Sequence, residues 1–164
     1  MNRKPRLTHL DDSGHARMVD VTSKARTARE ASAEVFVRCA PATIALVREK
    51  RVPKGDVLAV ARIAGIAGAK RTPDIVPLCH PVSLTGVDVE IDVRDDGLRI
   101  VATARAQDRT GVEMEAMTAA GAAALAVYDM LKAAERGIEI VGWRLLMKSG
   151  GRSGTWKRRA GARE

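Results

Sequence analysis

Four short stretches of this 164-residue chain carry groups able to move protons or hold an anion. Lys54 sits in Lys54-Gly55-Asp56, just before a segment that reads as a helix. A cation beside the free N–H groups of a helix start suits a phosphate, although a lysine there is also an ordinary surface residue. Leu78-Cys79-His80-Pro81 places a thiol and an imidazole in a loop punctuated by Pro73, Pro77 and Pro81. A rigid loop can hold a polar group toward a ligand, or simply satisfy its histidine on local backbone. Asp129 and Lys132 are one helical turn apart, close enough for the cation to keep the carboxylate ionised, which makes Asp129 a candidate acid/base. Lys148-Ser149-Gly150-Gly151-Arg152-Ser153-Gly154 is basic and glycine-rich. It can form an anion-binding nest or run on as a floppy terminus. Together these groups describe a site for a small polyanion whose reaction needs proton transfer.

Other chemistries lack their signatures. His9, His15 and His80 have no HxxxH or HExxH spacing, and Cys39 and Cys79 form no CxxC, so no metal site is expected. No GxxxxGK[ST] is present, no GxGxxG follows a strand, and no serine sits in a nucleophile elbow. The two separated cysteines suit a reducing, cytoplasmic compartment.

The element that must position most of these groups runs from Thr110 to Glu135. Thr110 and Glu113 have capping-box spacing, which predicts Thr110 as N-cap, and Gly137 follows the last turn. The middle is small, Ala119-Ala120-Gly121-Ala122-Ala123-Ala124, so another backbone can approach closely, from this chain's own sheet or from a second subunit. Glu113 and Glu115 lie near one end, Asp129 and Lys132 near the other. Glu115 and Asp129 are about 21 Å apart along the axis and within ~40° around it. Either these residues form a solvated face, or they serve different purposes, or two copies of the helix bring opposite ends together.

Around this helix the chain reads as a strand over Glu30–Cys39, a helix over Pro41–Arg48 opened by its proline, and a helix over Val57–Lys70 with Asp56 as N-cap. A proline-broken loop over Arg71–Val82 follows. Val87–Val93 and Leu98–Ala106 alternate as strands about an Asp96-Gly97 hairpin, and Ile138–Met147 is the last strand. The order predicts an α+β fold: a ferredoxin-like antiparallel sheet covered by helices on one face, with one inserted helix. One domain spans residues 1–164, with flexible basic tails at about 1–6 and 157–164.

Composition narrows the partners. Hydrophobic residues make up 46% and aromatics 2%, so Val, Ile, Leu and Ala must fill the core. No apolar run is long enough for a membrane span, and the start lacks the apolar core of a secretory signal. The net charge of +8 suggests nucleic acid, but 20 of the 28 basic and 19 of the 20 acidic residues lie between Leu7 and Lys148. The excess sits in the tails and no aromatic platform accompanies it, so no specific nucleic-acid binding is expected.

The motifs LTHLDDSGHARMVDV, KGDVLAVARIAGI, GAKRTPDIVPLCHP, TGVEMEAMTAA, YDMLKA and RLLMKSGGRSG resemble, in order, those of the cyclic pyranopterin monophosphate synthase family of molybdenum-cofactor biosynthesis. The resemblance runs from about Leu7 to Trp156. It implies a ferredoxin-like homohexamer, a trimer of dimers, with active sites between subunits. It implies a lyase that converts (8S)-3′,8-cyclo-7,8-dihydroguanosine 5′-triphosphate into cyclic pyranopterin monophosphate and diphosphate, with no metal or organic cofactor. It further implies Asp129, Lys54 and Lys132 as catalytic residues, and Leu78, Cys79, His80, Met114 and Glu115 as substrate-binding residues.

Overall fold

The computed structural model describes residues 13–159; the N-terminal tail expected over 1–6 and the last residues of the C-terminal tail lie outside them. Strand β1 (Thr27–Arg38) is followed by helices α1 (Pro41–Arg48), α2 (Val57–Lys70) and the one-turn α3 (Thr72–Ile75). Then come β2 (Leu84–Val93), β3 (Gly97–Asp108), helix α4 (Glu113–Leu131), β4 (Glu139–Ser149) and a two-residue β5, Trp156–Lys157. The sheet order is β2-β3-β1-β4-β5, and all four pairings are antiparallel. Apart from the added β5, this is the ferredoxin-like arrangement expected from the element order. Among the described residues no helix is long and apolar enough to cross a membrane.

Period-two patterning decides which face is covered. Ala31, Ala33, Val35 and Val37 of β1 and Leu98, Ile100, Ala102 and Ala104 of β3 are fully buried against Ala116, Ala119, Ala120, Ala123, Val127 and Leu131 of α4. Because these residues are small, backbones come close. A Cβ on Gly68 of α2 would stand 2.5 Å from the Ala122 Cβ, and one on Gly121 of α4 would stand 2.5 Å from the Trp143 ring. The small middle of α4 therefore receives this chain's own α2 on one side and Trp143 of β4 on the other, and the indole Nε1 donates to the Met117 carbonyl at 3.0 Å.

The opposite face of the sheet is polar. Glu34 of β1, 8% exposed, accepts two hydrogen bonds on each oxygen. Arg99 of β3 donates at 2.8 and 2.6 Å to one, and Arg144 of β4 donates at 2.8 and 2.6 Å to the other. Burial opposes ionisation of this carboxyl, but the bonds from Arg144 and then Arg99 outweigh it and hold Glu34 below the usual carboxylate range. One side chain thus ties three strands together.

Several boundaries differ from expectation. Helix α4 is 19 residues, about 28 Å; the expected span of Thr110–Glu135 is too long at both ends. Thr110 is not the N-cap: Val112 holds that position and no side chain caps it. Glu113 instead folds back over Gly111, where a Cβ would meet its carboxylate. At the other end Lys132 is the C-cap, and Glu135 turns away to accept the Ala40 N–H at 2.9 Å, at the start of α1. The loop expected over 71–82 contains the α3 turn, where Thr72 Oγ1 donates to the Ala69 carbonyl at 3.0 Å. The tail expected to be flexible from 157 is pinned at its root: Lys157 pairs with Met147, Arg158 Nε donates to the Leu145 carbonyl at 2.8 Å, and its guanidinium stacks 5.6 Å from the Trp156 ring.

Candidate active site

The two ends of α4 carry two separate groups of candidate side chains. At the C-terminal end, Asp129 is clamped by two lysines. Lys54 Nζ donates to Asp129 Oδ2 and to the Asp129 carbonyl, both at 2.8 Å, and Lys132 Nζ lies 2.7 Å from Oδ1. The local fold explains how Lys54 arrives there. The turn after α1 is closed by Gly55 N–H donating to the Val52 carbonyl at 3.0 Å, and Asp56 Oδ1 caps α2 through the Ala59 N–H at 3.0 Å, as its position predicted. The turn thereby projects Lys54 across the last turn of α4. Hydrogen bonds from Lys132 and then Lys54 hold the Asp129 carboxyl down to about 2, and Asp129 in turn raises Lys132 above its usual value. The group is open to solvent, and the Asp129 carboxyl is ionised at neutral pH between the two lysines.

At the N-terminal end lies a hollow of about 440 Å³ lined by Leu78, Cys79, His80, Thr110, Glu113 and Met114. Leu78 and Met114 are 38% and 39% exposed, an apolar seat beside the polar groups. Glu115 lies behind this wall rather than in it. It is 2% exposed, its Oε1 accepts from the Cys79 thiol at 3.7 Å, and its Oε2 has no partner among the described residues. The solvated-face reading of Glu115 is therefore corrected. Burial raises its carboxyl above the usual range. Burial and the neighbouring Glu115 also push the Cys79 thiol up to about 11, so Cys79 is a neutral donor rather than a thiolate nucleophile.

A second hollow, about 400 Å³, adjoins the first through Thr110, Gly111 and Glu113, and its wall carries Lys24, Arg29, Arg109, Lys148 and Arg152. The Lys148–Gly154 segment builds part of it as a folded nest. Gly150 and Gly151 have φ of 93° and 68°, and a Cβ at Gly151 would strike the Arg29 guanidinium, so the backbone can approach only because no side chain stands there. Arg29 is held by the Asp108 and Arg109 carbonyls at 3.2 Å each. Five cations face the single carboxylate of Glu113, a charge balance that suits an anion.

The structure thus brings Lys54, Asp129 and Lys132 together, and Leu78, Cys79, His80 and Met114 together with Glu115 just beneath, but holds the two groups about 21 Å apart along α4. Sequence reasoning missed Arg29, Arg109 and Lys24, and read Glu113 only as a capping residue. Arg109-Thr110-Gly111 directly ahead of a helix was the signal available for part of this set.

The chain matches the MoaC family model over residues 18–151. It is 57% identical over 153 residues to a protein of Streptomyces coelicolor named cyclic pyranopterin monophosphate synthase, covering 93% of this chain and 90% of that one. Proteins of the same name from Streptomyces avermitilis and Streptomyces griseus subsp. griseus are 56% identical over 153 residues and 54% identical over 160 residues. They cover 93% and 98% of this chain, and 90% of each relative.

Proposed function

The chain belongs to the MoaC family, and on that basis we propose that it makes cyclic pyranopterin monophosphate in molybdenum-cofactor biosynthesis, in the cytosol. The substrate is (8S)-3′,8-cyclo-7,8-dihydroguanosine 5′-triphosphate and the second product is diphosphate. The observation that carries this reading is the pair of half-sites on one helix: a cationic receptor with an adjoining apolar and imidazole-bearing hollow at one end, and a carboxylate between two lysines at the other. The first suits the triphosphate and the fused ring. The second suits proton transfer.

One chain cannot bring both to one molecule across about 21 Å. The complete site therefore forms where the N-terminal end of α4 of one subunit meets the C-terminal end of another, in a homohexamer built as a trimer of dimers. Leu78 and Met114 support the ring, His80 and Cys79 meet its polar edge, and Glu115 stiffens the Cys79 wall. Lys148, Arg29 and Arg109 hold the phosphates and stabilise the charge that collects on the departing diphosphate.

In the free chain Asp129 is a weak base because both lysines bind it. When substrate phosphates or carbonyl groups draw the lysines away, the carboxylate regains basicity and can take a proton, while Lys54 and Lys132 supply protons or positive charge. In the closing step a substrate hydroxyl loses its proton and forms a bond to the α-phosphorus. The bond from that phosphorus to the bridging oxygen breaks, and diphosphate leaves. The test is to supply the cyclic dihydroguanosine triphosphate and measure diphosphate together with the cyclic monophosphate. Absence of both products from folded, assembled protein refutes the assignment.

A further inference from the structure

Beside the turn that carries Lys54 lies a third hollow, about 420 Å³, whose lining includes none of the residues assigned above to the candidate site. Its floor is apolar: Val47 of α1, Val52 of the turn, Val57 and Leu58 of α2, and Val93 at the end of β2. Its rim is cationic, with Arg48, Lys50 and Arg62. Arg48 is already engaged, donating to Asp95 at 2.8 Å and to the Val93 carbonyl. Asp56, the one carboxylate in the wall, is engaged in capping α2. Lys50 and Arg62 have no acidic partner among the described residues, and Glu49, next to Lys50 in sequence, pairs with Arg51.

Lys50 is placed there at a conformational cost. It ends α1 with φ 56°, the one non-glycine residue with positive φ among those described. Lys50 N–H donates to the Val47 carbonyl and Arg51 N–H to the Leu46 carbonyl. This is the Schellman closure, whose left-handed position favours glycine. A lysine in that position adds a cation to the lining of the hollow, where glycine would add none.

We infer that this hollow is a second ligand site, for a small amphiphilic anion: an apolar body on the valine floor and a phosphate or carboxylate between Lys50 and Arg62. Its volume falls in the range of small-molecule pockets. Val52 and Gly55 belong to both the hollow and the turn that presents Lys54, so an occupant steadies that turn. The inference does not depend on which reaction the chain catalyses.

The probe is phenyl phosphate, titrated calorimetrically into Lys148→Ala protein so that the basic hollow beside Gly150 contributes little. Saturable binding is expected, tighter than that of inorganic phosphate or benzyl alcohol. Adding Lys50→Gly and Arg62→Gln should weaken it about tenfold or more, since bonds to charged groups are the strong ones. Lys50→Gly should leave the melting temperature unchanged or raised, which separates lost binding from lost folding. In hydrogen exchange, the probe should slow the segment containing the Gly55 amide. No saturable binding, equal affinity for inorganic phosphate, unchanged affinity in the Lys50→Gly, Arg62→Gln protein, or unaltered exchange at that segment would each overturn the site.

Discussion

Lys54 and Asp129, 75 residues apart in sequence, are joined by two hydrogen bonds of 2.8 Å from one ammonium group, one to the carboxylate and one to the carbonyl of the same residue. The carbonyl bond fixes where the ammonium sits, and the carboxylate bond sets the charge it faces. Asp129→Asn should preserve the first and keep an acceptor for the second, while removing the negative charge and the base. Turnover is expected to fall ~10²–10⁴-fold, the usual cost of one positioned acid/base group, while substrate still binds. Turnover at the parent rate would remove Asp129 from the mechanism.

A site shared between subunits predicts complementation. Glu115→Ala and Asp129→Asn should each be inactive alone. Co-refolded, they should regain part of the activity, because a mixed interface contains one site with both residues intact. Mass spectrometry verifies the mixing. Mixed assemblies with no recovered activity would count against opposite ends of α4 meeting at one substrate.

The buried Glu115 sets a pH dependence of stability. Its folded pKa lies above the ordinary 4.5, so the neutral form favours the fold. This contribution is complete below that value and is lost as pH rises toward the folded pKa. Glu115→Gln removes the titration. The melting temperature of the parent protein should fall relative to that of the Gln variant as pH rises above the ordinary 4.5. Parallel curves would mean that Glu115 titrates alike in the folded and unfolded chain.

Close packing of α2 on α4 can be tested at Gly68. A Cβ there lies 2.5 Å from the Ala122 Cβ and 3.2 Å from the Thr118 carbonyl oxygen, so Gly68→Val must separate the helices. Overpacking of this kind costs about 1–3 kcal/mol, read as a shift in urea midpoint. Ala67→Val, on the exposed side of the same helix, should cost well under half as much. Equal effects would mean that the contact is slack.

The elements that announced themselves in the sequence were those whose ends are set locally. Pro41 opens α1 and Asp56 caps α2 because proline geometry and an aspartate cap are decided within a few residues. The ends of α4 were misread because distant contacts decide them: Glu135 leaves the helix for Ala40, 95 residues away in sequence. The pairing of Asp129 with Lys132 was visible as helical spacing, whereas Lys54 joined it in prospect only through family resemblance, since only the folded turn brings it there. The cationic hollow was half legible. Lys148 and the glycines stood out as a motif, but Arg29 near the start of β1 and Arg109 just after β3 are brought to one end of the pair by antiparallel register, a relation that no local pattern reveals. The two-residue β5 was too short to leave any periodicity.

Glu34 makes the polar side of the sheet sensitive to acid. Its carboxylate bridges β1 to both neighbours, and its pKa is held below the ordinary 4.5. The bridge is therefore intact above that value and fails as pH falls through the folded pKa. Protonation leaves two arginines facing a neutral group, and their repulsion falls on β4, which has only the short β5 on its other side, rather than on β3, which β2 supports along most of its length. Acid should therefore unzip this sheet from one side, β4 first, and β4 carries Lys148 of the cationic hollow. The cationic hollow would come apart before the core does.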